Sequence, residues 1–359
     1  MLRLGNLWVA AVAVVPILAL ASDGQEARPI VGAIRWDAWT GGDVTAQVER
    51  TLGPRQFHHR LPWFASVAAD GRVHIDGGGQ AIMDQEIAFA AKAGLDYWAF
   101  LLYPKHSSMS VSLANYLKSK ERGRINFCAI LHNSFGVAEK DWPTERWRAV
   151  ALLKEKGYQT VLGGRPLVYA FDQAFLGGLH SKRFADFLRA ARQEGLNPYC
   201  IYMGWHPPSD YFKASAKGFD AVSAYACPSD KATFADLCQV VEKGQWRAAM
   251  VAKVPYVPLV TTGWDKRPRQ ENRVPSWEKG QNYVNQKVFP AAGTPEEIVS
   301  HLQRAIALVR VNKAICPAQA VIVYAWNEHD EGGWLCPTWT SEGKPNTERI
   351  EALSRALKK

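Results

Sequence analysis

The sequence is poor in the features that mark metal, redox and nucleotide chemistry. Its 359 residues include only six cysteines. None of them is spaced C-x-x-C, which excludes a zinc ribbon or a thioredoxin-like dithiol. Six are also too few for a disulfide scaffold at this length. Cys128 and Cys200 lie inside apolar runs and read as buried thiols, whereas a pairing of Cys227 with Cys336 stays open. His206, His329, Asp330 and Glu331 could be grouped as metal ligands, but neither a His-Glu-x-x-His spacing nor a three-histidine cluster occurs, so no metal is expected. No glycine-rich phosphate loop follows the first apolar run, which weakens the nucleotide-binding version of an α/β sheet. No cofactor is expected. Acidic residues are outnumbered, 34 against 43 Lys and Arg, for a net charge of +9. The cations are scattered along helical stretches without a recognition motif, so nucleic acid is not an expected partner.

What is present begins with a leader. Arg3 precedes an apolar run over residues 7–21 that ends in Ala19-Leu20-Ala21, followed by a polar stretch from Ser22 to Glu26. This pattern predicts a secretory signal peptide over residues 1–21 and an exported mature chain over 22–359. The run contains Pro16 and falls short of the ~20 residues of a membrane span, and no later run is long enough. Periplasm and medium are not distinguished, and neither is the oligomeric state.

Short apolar runs then alternate with helical stretches along the whole chain. The runs lie at 30–34, 97–103, 126–131, 166–171, 199–203, 221–225, 256–260 and 320–325. Continuous apolar runs suit parallel strands covered on both faces. Among the helices, the one from Pro295 to about Asn312 is the best marked. Thr294 caps it, Pro295 takes N1, and Glu297 completes a capping box. A second, over 82–93, stops at Gly94. Length alone allows two or three domains, but eight βα units without a Ser/Gly-rich linker predict one (β/α)8 TIM barrel. An open doubly wound sheet is the alternative.

In a barrel, chemistry collects at the C-terminal ends of the strands. Those ends carry Asp37, Tyr103, His132 with Asn133, Asp172, Trp205 with His206, Tyr225, and Trp264 with Asp265. The last delivers Trp326, Asn327, Glu328, Glu331 and Trp334. Singly, each has a bland reading: a lone His132 or Asp172 is more often a satisfied hydrogen-bonding residue, and Trp36 or Trp98 can be core. Together they describe a site with aromatic faces beside carboxylates and amides, which suits sugars. Glu328 and Glu331 are the expected catalytic pair, since glycosidic cleavage needs one carboxyl to protonate the leaving oxygen and a second as base or nucleophile. Their i, i+3 spacing fits retaining and inverting geometries alike. Lys266, Arg267, Arg269 and Arg273 follow Trp264-Asp265 and suggest a hold on an anionic or sulfated glycan.

The stretch from Tyr324 to Gly332, with Asn327-Glu328 and Glu331-Gly332, resembles the Asn-Glu-Trp-x-Glu-Gly signature of family 99 glycoside hydrolases and of WbsX-type family 99-like proteins. Gly164-Arg165-Pro166, Gly218-Phe219-Asp220 with Tyr225, and Gly263-Trp264-Asp265 with Pro268-Arg269 agree with it. The resemblance implies an endo-acting α-mannosidase or α-mannanase. It implies that Glu328 deprotonates the substrate's 2-hydroxyl, that Glu331 is the acid/base, and that configuration is retained through a 1,2-anhydro sugar. His329-Asp330 replaces the pair common between the glutamates, and the segment 333–338 departs from the usual ending. The expected function is an exported glycoside hydrolase acting on an oligo- or polysaccharide. The alternatives are a non-catalytic carbohydrate binder and a glycosyltransferase-like polysaccharide assembly protein.

Overall fold

The computed structural model describes residues 27–272, 275, 278 and 281–358. The expected signal peptide lies outside them, as does Arg273. Eight parallel strands occur where apolar runs were expected: β1 Ile30–Arg35, β2 Tyr97–Leu102, β3 Asn126–Leu131, β4 Arg165–Phe171, β5 Tyr199–Gly204, β6 Ala221–Ala224, β7 Leu259–Thr261 and β8 Ala320–Tyr324. They pair in the order β7-β8-β1-β2-β3-β4-β5-β6. The run before β7 brings the two ends together, since Val222 N–H donates to Pro255 O and Val257 N–H to Val222 O, both at 3.0 Å. The chain is a (β/α)8 barrel. It has one difference from the expected strands: the seventh run contacts β6 through Tyr256 and forms its ladder with β8 only from Leu259.

Strand alternation decides what each strand does. On β2, Trp98 faces outward and meets Tyr116 of the helix Val111–Lys118. Tyr97 therefore faces the lumen, where its hydroxyl meets that of Tyr169, two strands away, at 2.8 Å. Gly32 makes room for that ring, because a Cβ there would stand 2.2 Å from it. The helix Gln80–Ala93 lays Met83, Ile87 and Ala90 into the outer layer. Each large apolar side chain buried this way contributes ~1.5–3 kcal/mol. Gly94 ends the helix at φ 86°, its N–H returning to Ala90 and Ala91. The capping box at Thr294 and Glu297 is present on the helix Pro295–Val311. The C-terminal helix Glu348–Leu357 packs between it and Gln80–Ala93.

All six cysteines are buried and unpaired. Among the described residues no helix is long and apolar enough to cross a membrane, and no cluster of His, Cys, Asp and Glu could hold a metal ion.

Candidate active site

The C-terminal strand ends enclose a cavity of about 610 Å³. One wall is aromatic: Trp36, Tyr103, Phe171, Trp205 and Trp264 line it. Trp36 Nε1–H donates to the Tyr103 hydroxyl at 3.0 Å, fixing two of these rings against each other. His132 and Asp172 come from the ends of β3 and β4. The Phe171 carbonyl can only accept, so His132 Nδ1 carries the proton in their 3.0 Å contact and Nε2 is left as an acceptor. Burial keeps this imidazole below its ordinary pKa and neutral. Asp172 accepts from Ala174 N–H at 2.8 Å, and Asn133 adds an amide at the rim.

The charged part of the lining is built by two loops that touch backbone to backbone. Asp265 N–H donates to Glu331 O at 2.7 Å. Glycine is required at both faces of this contact. A Cβ on Gly332, at φ 86°, would lie 2.4 Å from Asp265 N, and one on Gly263 would lie 2.0 Å from Gly332 O. The loop after β7 thereby delivers Lys266 and Arg269 onto the carboxylates that follow β8.

Arg269 is buried among four carboxyl groups. Its Nε and Nη2 grip both oxygens of Asp330 at 2.8 and 2.9 Å. Its Nη1 donates to Glu278 at 2.8 Å and also to Glu331, and Nη2 stands 3.9 Å from Glu328 Oε2. Lys266 Nζ bridges Glu278 and Glu331, each at 2.8 Å. It also sits 4.6 Å from the Trp264 ring centroid.

The two glutamates end in different surroundings. Glu331 has both oxygens occupied: Arg269 and Lys266 hold Oε1, and the Tyr324 hydroxyl donates to Oε2. Burial pushes its carboxyl up, but the two cations outweigh that and bring it down to about 2. Among the described residues the Glu328 carboxylate accepts one hydrogen bond, from the Tyr225 hydroxyl at 2.5 Å, and its buried Oε2 has no hydrogen-bond partner beside the 3.9 Å ion contact with Arg269. Burial first, and the Glu331 charge second, hold its carboxyl well above the ordinary range. Phe171 stacks on Tyr225 at 4.3 Å between centroids and fixes that hydroxyl in place.

Among the residues singled out in the sequence, Glu328, Glu331, Tyr103, His132, Asn133, Asp172, Trp205, Tyr225, Trp264 and Arg269 share this cavity. Six others are placed elsewhere. Asp37 has the wrong parity: Trp36 takes the lumen, and Asp37 pairs with Arg35 at 2.7 Å on the helix-facing side. His206 is exposed at the start of the helix Pro207–Ser215. Asp265 is held between Arg60 and Arg267. Trp326 donates to Glu86 at 2.9 Å, in the outer layer. Asn327 spans the backbone N–H and C=O of Trp36 and ties the first strand end to the last. Trp334 lies under Arg349, whose Cζ is 3.9 Å from the ring centroid.

The basic loop also changes character. Lys266 and Arg269 are buried against carboxylates rather than turned to an outside anion, and the half-exposed Arg267 pairs with Asp265. His329 is neutral as well, brought down to about 3 by burial, and bonds the Arg60 carbonyl. Trp36, which the sequence also allows as core, lines the cavity, and Tyr324, a strand residue, reaches Glu331 with its hydroxyl. Glu278 lies in a stretch with no motif, so only the folded chain brings it to Lys266.

No family model matches the sequence, and no curated protein matches it. Solved structures do. The chain is similar in fold to the GH99 endo-α-mannosidase from Bacteroides thetaiotaomicron in complex with bis-tris-propane. The TM-score is 0.54 and the identity 13%, covering 92% of this chain and 96% of that one. A second structure of the GH99 endo-α-mannosidase from that organism gives 0.52 and 14%, over 91% and 95%. At these identities the likeness is one of fold.

Proposed function

We propose that this chain hydrolyses O-glycosidic bonds of an oligo- or polysaccharide held in the barrel cavity. One observation carries the reading: Glu328 and Glu331, from a single loop, face an aromatic-walled cavity in opposite protonation environments. Such a division between two carboxyls is what acid-assisted glycoside cleavage requires. Trp36, Trp205 and Trp264 offer apolar faces to sugar rings, while His132, Asn133 and Asp172 offer hydrogen bonds to hydroxyl edges.

The finer points are likewise our reading. The fold likeness and the Asn327-Glu328 and Glu331-Gly332 resemblance favour an α-mannoside and retention with help from the substrate's 2-hydroxyl. Because Lys266 and Arg269 are already neutralised, a neutral glycan suits the cavity better than an anionic one. A leader over residues 1–21 would place the activity outside the cytoplasm, on the degradative side of glycan metabolism.

The test is reducing-sugar release from α-mannan and a panel of neutral and charged polysaccharides by the wild type, Glu328→Gln and Glu331→Gln. Release by the wild type alone is expected. Equal release by all three would end the catalytic assignment. Binding without release by the wild type would make the chain a carbohydrate binder.

A further inference from the structure

We propose that a recess behind the loop carrying the two glutamates binds an oxyanion, a carboxylate or a sulfate group, with Arg349 as its receptor. The recess has a volume of about 260 Å³ and shares no lining residue with the barrel cavity.

Arg349 is a cation without a counter-ion. The four most deeply buried arginines, Arg35, Arg60, Arg183 and Arg269, each hold a carboxylate. Arg349 instead donates from Nη1 and Nη2 to the backbone carbonyls of Trp334 and Gly293, at 2.5 and 3.0 Å. Among the described residues no carboxylate pairs with it. A guanidinium carries five N–H donors, so three remain for a ligand. The surroundings add positive charge and offer nothing to offset it. Arg349 lies against the Trp334 ring, and the Arg60 Cζ stands 5.7 Å from the centroid of that same ring. Asp265, which holds Arg60, is shared with Arg267. Burial first, and the Arg60 charge second, bring the Arg349 guanidinium down to about 9, so it is still charged at neutral pH.

A partly buried charge with no partner is costly, and an anion in the recess would remove that cost. The lining suits one. Thr338 adds a hydroxyl, and Leu335, Cys336 and Pro295 supply apolar walls that strengthen a charge contact. The helix Glu348–Leu357 begins here, and its N-cap Thr347 makes no side-chain bond to the first turn, its hydroxyl donating to Glu351 instead. The positive end of that helix therefore adds to the Arg349 charge. Glu348 is the only acid in the lining. It is exposed and accepts from Asn346 Nδ2 at 3.3 Å, not from Arg349. The planar guanidinium fork matches two oxygens of one group, which favours carboxylate and sulfate over chloride. Such a group comes either from a free ion or from an acidic sugar of a glycan, and the barrel cavity itself needs no anion for this.

The test is calorimetric titration of the protein with sodium sulfate, sodium acetate and sodium glucuronate at fixed ionic strength, with sodium chloride as the control. The variants are Arg349→Gln and Asn346→Asp. The second keeps the side-chain oxygen that accepts from Glu348 N–H and places a negative charge at the rim. Saturable one-to-one binding to the wild type is expected, weaker by about 10- to 100-fold in Arg349→Gln and by about tenfold in Asn346→Asp. Tighter binding of glucuronate than of acetate and sulfate would identify an acidic sugar as the source, and equal or tighter binding of sulfate or acetate a free oxyanion. Binding that does not saturate, that chloride matches, or that is equal in all three proteins would overturn the proposal. If Arg349→Gln does not fold, Asn346→Asp decides: weakened binding supports the site, and unchanged binding overturns it. These readouts use no turnover, so they stand apart from the glycosidase reading.

Discussion

Two buried arginine clusters of the barrel behave differently. On the helix-facing side, Arg35 pairs with Asp37 and Glu86, each at 2.7 Å, and lies 4.6 Å from the Trp98 ring centroid. On the lumen side, Arg269 organises Asp330, Glu331 and Glu278 with Glu328 at its edge. Both hold more carboxyls than cations. Both raise one carboxyl, Asp37 in the first and Glu328 in the second, with burial as the leading cause in each. A raised carboxyl is therefore not by itself a mark of chemistry. The two differ in access. In the first cluster Glu86 is filled by Arg35 and the Trp326 indole, and none of its members reaches the cavity. In the second, Glu328 and Glu331 line a space large enough for sugar rings. The first cluster fastens β1 to its helix layer, and the second is the candidate site.

Separating activity from stability should split the clusters. The largest effect is expected from Glu328→Gln: a loss of about 10²–10⁴-fold in kcat/KM on unactivated glycosides, with the thermal midpoint at neutral pH unchanged or raised. Glu86→Gln should do the opposite. It breaks a buried pair, at a cost of about 3–5 kcal/mol in denaturant unfolding, while kcat/KM per folded molecule stays within a few-fold of wild type. A Glu86 variant that is stable but inactive would erase the distinction.

A smaller effect is expected at Tyr225→Phe, which removes the one hydrogen bond that the Glu328 carboxylate accepts among the described residues. A hydrogen bond to a charged group is worth about 1.5–3 kcal/mol, so kcat/KM should fall about 10- to 100-fold. Because that hydroxyl favours the ionised form, the limb of the pH profile that Glu328 sets should move to higher pH. An unmoved limb would mean that another group sets it.

The smallest effect is in stability against pH, and its sign differs between the two glutamates. Glu331 is held below its ordinary value of 4.5, at about 2. Its contribution is full above pH 4.5 and is lost as the pH falls toward 2. Glu328 is held above 4.5, so its contribution is full below that pH and is lost as the pH rises. Glu328→Gln should match wild-type stability near pH 4 and exceed it increasingly above, by up to about 1.4 kcal/mol per pH unit. Parallel stability curves would contradict the raised carboxyl.

The barrel was readable because its determinants are local. Runs such as 126–131 are apolar throughout, Gly94 ends a helix, and Thr294 with Glu297 spells a capping box. The loop carrying Glu328 and Glu331 was readable because it follows the last apolar run directly. Parity at the strand ends was less visible. Trp36 and Asp37 are neighbours in sequence, yet one faces the cavity and the other the helix layer. The electrostatics were least visible. Lys266 and Arg269 read as an exposed basic patch until the backbone contact between Gly263 and Gly332 turned them onto Glu331. Glu278 completes that cluster from a stretch whose local sequence announces nothing.

The most direct measurement is infrared difference spectroscopy of the protonated carboxyl C=O stretch at neutral pH, comparing the wild type with Glu328→Gln, Glu331→Gln and, as the sealed-cluster control, Asp37→Asn. The account predicts that a protonated-carboxyl band disappears in Glu328→Gln and persists in Glu331→Gln. Loss of the band in Glu331→Gln, with Glu328→Gln unchanged, would contradict it.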